Sequence, residues 1–220
     1  MTAMHKEDTG RRITNILLYG AVWGIVEATL GYALHLLGRV VPVVGLAGFV
    51  LFPVGLLIML AATRATGLAL APLGVSVVAA ATKAASVAAP GVTPIFVINP
   101  SLAILAEGAI VSAGVVLFAF SRPVPTFAGT LAMSIGWRVL FLTLLAVLPV
   151  RAGILMKGTT ALLYFLIVES AVNAILVAGV FAIGFKAERL GELISRAATP
   201  VAVPAALALA VAFQMLAAVT

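Results

Sequence analysis

The chain has 220 residues, of which 64% are hydrophobic and 9% charged, with a formal net charge of +6. A soluble domain carries about 25% charged residues, so this chain cannot clothe a water-facing globule. The absence of cysteine excludes a disulfide framework and a thiolate metal site, and the basic residues lie between apolar runs, as in membrane topology, rather than in a nucleic-acid-binding patch.

The first apolar segment runs from Ile13 to Leu37. Arg11 and Arg12 precede it as they would a signal peptide. Glu27 interrupts the run, however, and no small-residue cleavage site ends it, so a retained first span is expected. The second segment runs from Val44 to Ala62, with Pro53 inside it as an expected kink. The third, Gly67 to Ala89, is rich in alanine. After Pro90-Gly91-Val92-Thr93-Pro94, Asn99-Pro100 reads as a helix start, with Asn as cap and Pro in the first turn, for a fourth segment reaching Phe120. Ser121-Arg122-Pro123-Val124-Pro125 is a tight connection to a fifth, Phe127 to Leu148, and the sixth runs from Thr160 to Gly184. Phe185 to Arg196 is amphipathic, and Val201 to Val219 is a seventh apolar run weakened by Pro204. The runs are too long for barrel strands and lack polar alternation. They predict an all-α, polytopic transmembrane helical bundle of six to seven spans. It forms a single domain, with a six-helix core over 13–184, an amphipathic linker over 185–200 and the seventh segment over 201–219.

Orientation follows from Lys and Arg placement. With the amino terminus cytoplasmic, Lys6, Arg11, Arg12, Arg64, Arg122, Lys186, Arg189 and Arg196 fall inside, against Arg39, Arg151 and Lys157 outside. That is the asymmetry of the positive-inside rule. A multi-pass protein of a cell membrane is expected, its lipid partner the bilayer itself. There is no phosphate-binding G-x-x-x-x-G-K-[ST] loop, no H-E-x-x-H and no G-x-S-x-G, so neither an ATPase, a zinc protease nor a serine hydrolase is indicated.

Five ionisable residues fall within apolar runs: Glu27, Lys83, Glu107, Arg138 and Glu169. Each costs about 2.5–3.5 kcal/mol at the centre of a span, so each must face protein or water. In the proposed orientation they lie about 10–18 Å from the outer ends of their helices, in one slab of a core about 30 Å thick. Asn173 shares a face with Glu169, Ser76 and Ser86 share one with Lys83, and Ser134 lies one turn before Arg138. Trp23 and Trp137 adjoin the charges, with Tyr32 and His35 nearer the outer end. Two readings stand. The groups line a substrate pocket, or they pair between helices as structural ions.

Small residues form a second pattern. Gly20, Gly24, Ala28 and Gly31 make a smooth strip on the first helix, and Ala80/Ala84 and Ala81/Ala85 repeat the spacing on the third. Such strips serve internal packing or the docking of another membrane subunit. A weaker echo joins Ile25-Val26-Glu27-Ala28, Leu105-Ala106-Glu107-Gly108 and Ile167-Val168-Glu169-Ser170, which would fit an inverted repeat.

By size, six helices, an outward-facing pocket and the Gly20/Gly24/Ala28 strip, the stretch from Ile13 to Gly184 resembles the substrate-binding S component of an energy-coupling factor transporter. The resemblance implies a non-enzymatic importer subunit of a prokaryotic inner or plasma membrane, without cofactor. It would capture a vitamin, a precursor or a metal ion from outside. It further implies a transmembrane T subunit, docked on Gly20, Gly24 and Ala28, and two ATPase subunits. Under this reading Arg138 and Lys83 hold anionic groups of the solute. Glu27, Glu107, Glu169 and Asn173 meet its polar groups, and Trp23 and Trp137 stack on a ring. The loops at Pro42 to Gly45 and Pro90 to Phe96 close over it. A mixed-charge pocket suits a small polar or zwitterionic micronutrient. The alternatives are a small proton- or ion-coupled carrier or channel, with the three glutamates as relay, and a membrane assembly factor whose charges are structural.

Overall fold

The computed structural model describes residues 2–40, 45–117, 126–148, 153–184 and 186–219. All regular structure among them is helical. The first span comprises α1 (Thr2–Val26), a π-helical turn (Glu27–Gly31) and α2 (Tyr32–Val40). Then come α3 (Leu46–Thr66), α4 (Ala71–Ala84) with a 3₁₀ turn (Ala85–Ala88), α5 (Ile95–Leu117) and α6 (Phe127–Val147). A short α7 (Gly153–Met156) leads to α8 (Thr159–Leu163), a second π-helical turn (Tyr164–Val168) and α9 (Glu169–Ala182). The chain closes with α10 (Ala187–Arg196) and α11 (Ala202–Val219).

Six of the described helical stretches are long and apolar enough to cross a membrane: Thr9–Gly38, Leu46–Thr66, Ala71–Ala88, Ile95–Leu117, Phe127–Val147 and Thr159–Ala182. Only 28% of the apolar window is buried in the last and 56% in the second, so the bundle exterior is itself apolar. Exposed Val77, Val116, Val139 and Ile175 lie on that exterior. A surface of this kind is stable against hydrocarbon and not against water. The protein is a multi-pass membrane bundle.

Neighbour contacts close the spans into a ring. α1 packs on α4, α4 on α5, α5 on α6, α6 on α9, α9 on α3, and α3 returns to α1. Trp23, Phe52, Leu56, Met59, Ile104, Met133 and Leu145 fill the centre. Close approach depends on glycine at two crossings. At Gly55 of α3 a Cβ would meet the Trp23 indole at 2.7 Å, and at Gly108 of α5 one would run into Ser76 and lie 2.8 Å from the Pro72 carbonyl oxygen.

Prolines account for two differences from the sequence reading. The fourth helix begins at Ile95 rather than at Asn99, because the Thr93 and Pro94 carbonyls already accept from Phe96, Val97 and Ile98. Asn99 is therefore no cap, and Pro100 lies inside the helix. Pro204 falls in the first turn of α11, where the missing N–H breaks no intrahelical bond, so it does not weaken that segment. α11 is shorter than the six spans and lies against α1 and α4. Its Gln214 Nε2 donates to the Gly24 carbonyl at 3.1 Å.

α10 follows the predicted amphipathic stretch and packs on α3. The Tyr19 hydroxyl donates to the Gly191 carbonyl at 2.8 Å and lies 3.2 Å from the Ser195 hydroxyl, while Arg64 pairs with Glu188. The expected tight connection at 121–125, the lid residues Pro42 to Val44, and Arg151 lie outside the described residues.

Candidate functional site

One end of the ring holds a cavity of about 650 Å³. The π turn and α2 contribute Glu27, Tyr32 and His35, and α4 with its 3₁₀ turn contributes Lys83 and Ser86. The connection before α5 brings Gly91, Val92 and Thr93, and α5 itself brings Phe96, Asn99 and Glu107. Gly48 and Leu51 of α3, Trp137 of α6 and the end of α11, at Ala217 and Ala218, complete the wall. The volume lies within the range of small-molecule sites, about 300–1,000 Å³.

Local structure explains how the acids reach this space. Glu27 opens the first π turn, and its carboxylate lies beside Gly31, one turn on: a Cβ there would make ordinary contact with Oε2 at 3.6 Å. Single π turns in α-helices recur at functional sites because the extra residue re-aims the side chains around it. The second π turn ends immediately before Glu169. The two sequence-echo glutamates on α1 and α9 thus each border a π turn. Glu107 comes from the tightest part of the α4–α5 crossing, beside Gly108. Its residue is 6% exposed, and its Oε2 has no hydrogen-bond partner among the described residues. Glu27 and Lys83 are close enough to interact electrostatically, and Glu107 feels both Glu27 and Arg138.

Arg138 lies elsewhere. It is fully buried and does not line the cavity. Its Nη2 donates to Asn173 Oδ1 at 2.8 Å and Glu169 Oε2 at 3.3 Å, and its Nη1 to Ser134 Oγ at 2.6 Å and Ser170 Oγ at 3.3 Å. Asn173 in turn donates from Nδ2 to the Gly48 and Phe49 carbonyls, both at 3.0 Å. Pro53 explains the second bond: without an N–H it frees the carbonyl four residues earlier, which is that of Phe49. Gly45 and Gly48 give the Glu169 carboxylate its place at the start of α3. A Cβ on Gly48 would lie 2.8 Å from Oε2, and one on Gly45, whose φ is +80°, would strike Oε1. The cluster therefore pins α3, α6 and α9 together.

Like Gly48, Trp137 borders both polar groups. The Arg138 guanidinium lies 4.4 Å from its ring centroid, Phe52 stacks on it at 5.8 Å, and Phe165 meets it edge-on at 5.7 Å.

The structure thus divides the sequence-predicted site. Glu27, Lys83, Glu107 and Trp137 converge on the cavity, with Tyr32 and His35 as expected. Arg138, Glu169 and Asn173, also expected as solute ligands, lie in the buried cluster and not among the residues that line the cavity. The cause is the four-residue spacing from Ser134 to Arg138 and from Glu169 to Asn173, which lets α6 and α9 satisfy one another. Trp23 likewise does not line the cavity: its ring lies on Gly55 in the core. Trp137 is packed by other aromatic rings rather than presented as a free stacking face. The expected docking strip is covered within the chain. A Cβ on Gly20 would overlap Val78, and one on Gly24 would overlap Thr82 and touch Ala210 of α11 at 3.5 Å, while Ala28 is buried and borders the cavity. Sequence reasoning missed Asn99, Gln214 and Ser170. Gln214 is the single polar residue of α11, whereas Asn99 and Ser170 share their helices with Glu107 and with Glu169 and Asn173; a polar side chain within an apolar run is the signal in each case.

No protein-family model, curated protein or solved structure matches this chain.

Proposed function

We propose that this chain is a membrane-embedded solute-binding protein, working as the S component of an energy-coupling factor importer does, in the cell membrane of a prokaryote. The observation that carries the reading is the cavity of about 650 Å³, lined by Glu27, Lys83 and Glu107 at one end of the bundle. Ionisable groups inside a membrane span are costly unless they meet protein partners or a hydrated cavity, and here three of them border one space. In the orientation given by the positive-inside rule, that end faces outward. The cavity would then capture solute from outside, with the segment Gly91 to Thr93 at its mouth. The chain binds its solute rather than transforming it. Turnover would require a transmembrane partner and ATPases, and genes for these beside its own would support the assignment. Because α4 and α11 cover the Gly20/Gly24/Ala28 strip, such a partner would have to use another face or displace α11.

The test is native mass spectrometry of the full chain released gently from its membrane, followed by identification of any small molecule carried with it. A stoichiometric solute lost in Glu107→Gln supports the reading. Protein reconstituted alone in liposomes that translocates protons or a metal cation, with no bound solute, would replace it with the ion-coupled carrier.

A further inference from the structure

The chemistry of the cavity wall narrows the class of solute, on the premise that the cavity is a solute site. We infer that the cavity selects an organic monocation: a protonated amine on an apolar body, its ammonium seated on Glu107. Three observations converge.

The first is charge. The described lining residues include two carboxylates, Glu27 and Glu107, and one ammonium, Lys83, leaving one negative charge in excess when all three are ionised and His35 is neutral. Lys83 is a single, partly buried ammonium against two carboxylates, the fully buried cation Arg138 is committed to Glu169 at 3.3 Å, and it is Glu107 whose Oε2 has no partner among the described residues. Glu107 is the acid left over. A buried carboxylate is strongly destabilising without a partner cation or hydrogen-bond donors.

The second is hydrogen-bonding capacity. Glu107 Oε2 and Asn99 Oδ1 are buried acceptors without partners among the described residues, and both residues line the cavity. Asn99 and Glu107 lie eight residues apart on α5, about 12 Å along the axis and about 80° apart around it, so an ammonium on Glu107 leaves Asn99 to the body of the solute. An ammonium carries three donors and no acceptor, so it answers acceptors of this kind. A carboxylate or phosphate could not donate to Glu107 and would meet Glu27 and Glu107 as like charges.

The third is the rest of the wall. Leu36, Leu51, Ile95, Val97 and Ile104 supply apolar surface that a hydrated inorganic ion would not use. Among the described residues no three His, Asp or Glu side chains come together in a way that could hold a metal ion. Trp137 also borders the cavity, and its buried indole N–H has no partner among the described residues.

The probes are benzylamine, benzyl alcohol and benzoate. They share a ring of one size and differ in charge at pH 7. Each is titrated into full-length protein in detergent, followed by calorimetry and by tryptophan fluorescence, for which Trp137 borders the cavity. Benzylamine is expected to bind saturably, and at least about tenfold more tightly than either of the others, the usual worth of a charge-assisted hydrogen bond. Glu107→Gln, which keeps the shape of the side chain, should remove that preference. Lys83→Met should tighten benzylamine binding, because it deletes the like charge that borders the cavity and leaves both carboxylates, Glu27 and Glu107, to the cation. This second variant keeps the test decisive if Glu107→Gln does not fold. The inference is overturned if benzoate or benzyl alcohol binds as well as benzylamine, or if none saturates. Loss of benzylamine binding in Lys83→Met, or its full retention in folded Glu107→Gln, would also overturn it. Saturable benzoate binding in the same cavity would leave a solute-binding protein with a different solute class, so the two readings fail separately.

Discussion

Arg138→Met is the perturbation on which the division between cavity and cluster depends most. The wild-type guanidinium is fully buried and makes five hydrogen bonds, to the Ser134 hydroxyl and carbonyl, Ser170, Glu169 and Asn173. Methionine fills much of the volume but leaves the Glu169 carboxylate, itself buried, without its cation. Breaking a buried pair from one side costs about 3–5 kcal/mol. Arg138→Lys keeps the charge, but one ammonium cannot span Ser134, Asn173 and Glu169. The loss of a charged hydrogen bond should cost about 1.5–3 kcal/mol. Removing both charges, in Arg138→Met with Glu169→Gln, should recover part of the loss, with a coupling of about 0.5–3 kcal/mol between the two sites. Equilibrium unfolding in mixed micelles measures the stabilities, and benzylamine titration of the same proteins measures the cavity. The expected pattern is a large stability loss, with affinity little changed in the protein that remains folded. An Arg138→Met protein as stable as wild type that has lost ligand binding would refute the division and return Arg138 to the solute site.

Gly24→Leu should destabilise the isolated protein by about 1–3 kcal/mol, since its side chain would enter Thr82 and α11; an unchanged stability would mean that the strip is free for a partner. Gly45→Ala should also destabilise, through its left-handed backbone and the Glu169 carboxylate behind it, and unfolding in micelles would detect this. Gln214→Leu removes the bond to the Gly24 carbonyl and should cost about 1 kcal/mol, read as faster proteolysis at the exposed link over 199–201. Thr93→Cys, in a chain without cysteine, should react with an impermeant maleimide on intact cells; reaction only after the membrane is opened would reverse the orientation and turn the cavity inward.

Membrane residence and helical class were legible at once, because hydrocarbon imposes the same demand on every residue of a span: apolar side chains, and backbone hydrogen bonds closed within the helix. The costly residues were legible for the same reason, and all five, Glu27, Lys83, Glu107, Arg138 and Glu169, belong either to the cavity or to the cluster beside it. What the linear order could not decide was which of them pair. Arg138 and Glu169 are separated by 31 positions and meet because α6 and α9 are neighbours in the ring, while Glu107, on the next helix, finds no such cation. The Gly20/Gly24/Ala28 strip was equally visible, but whether it faces a partner or the chain's own α4 and α11 depends on where the last helix folds back. Pro53 shows the limit most directly. Its missing N–H is written in the sequence, but the donor that replaces it, Asn173, lies more than a hundred residues away and is brought there only by the tertiary fold.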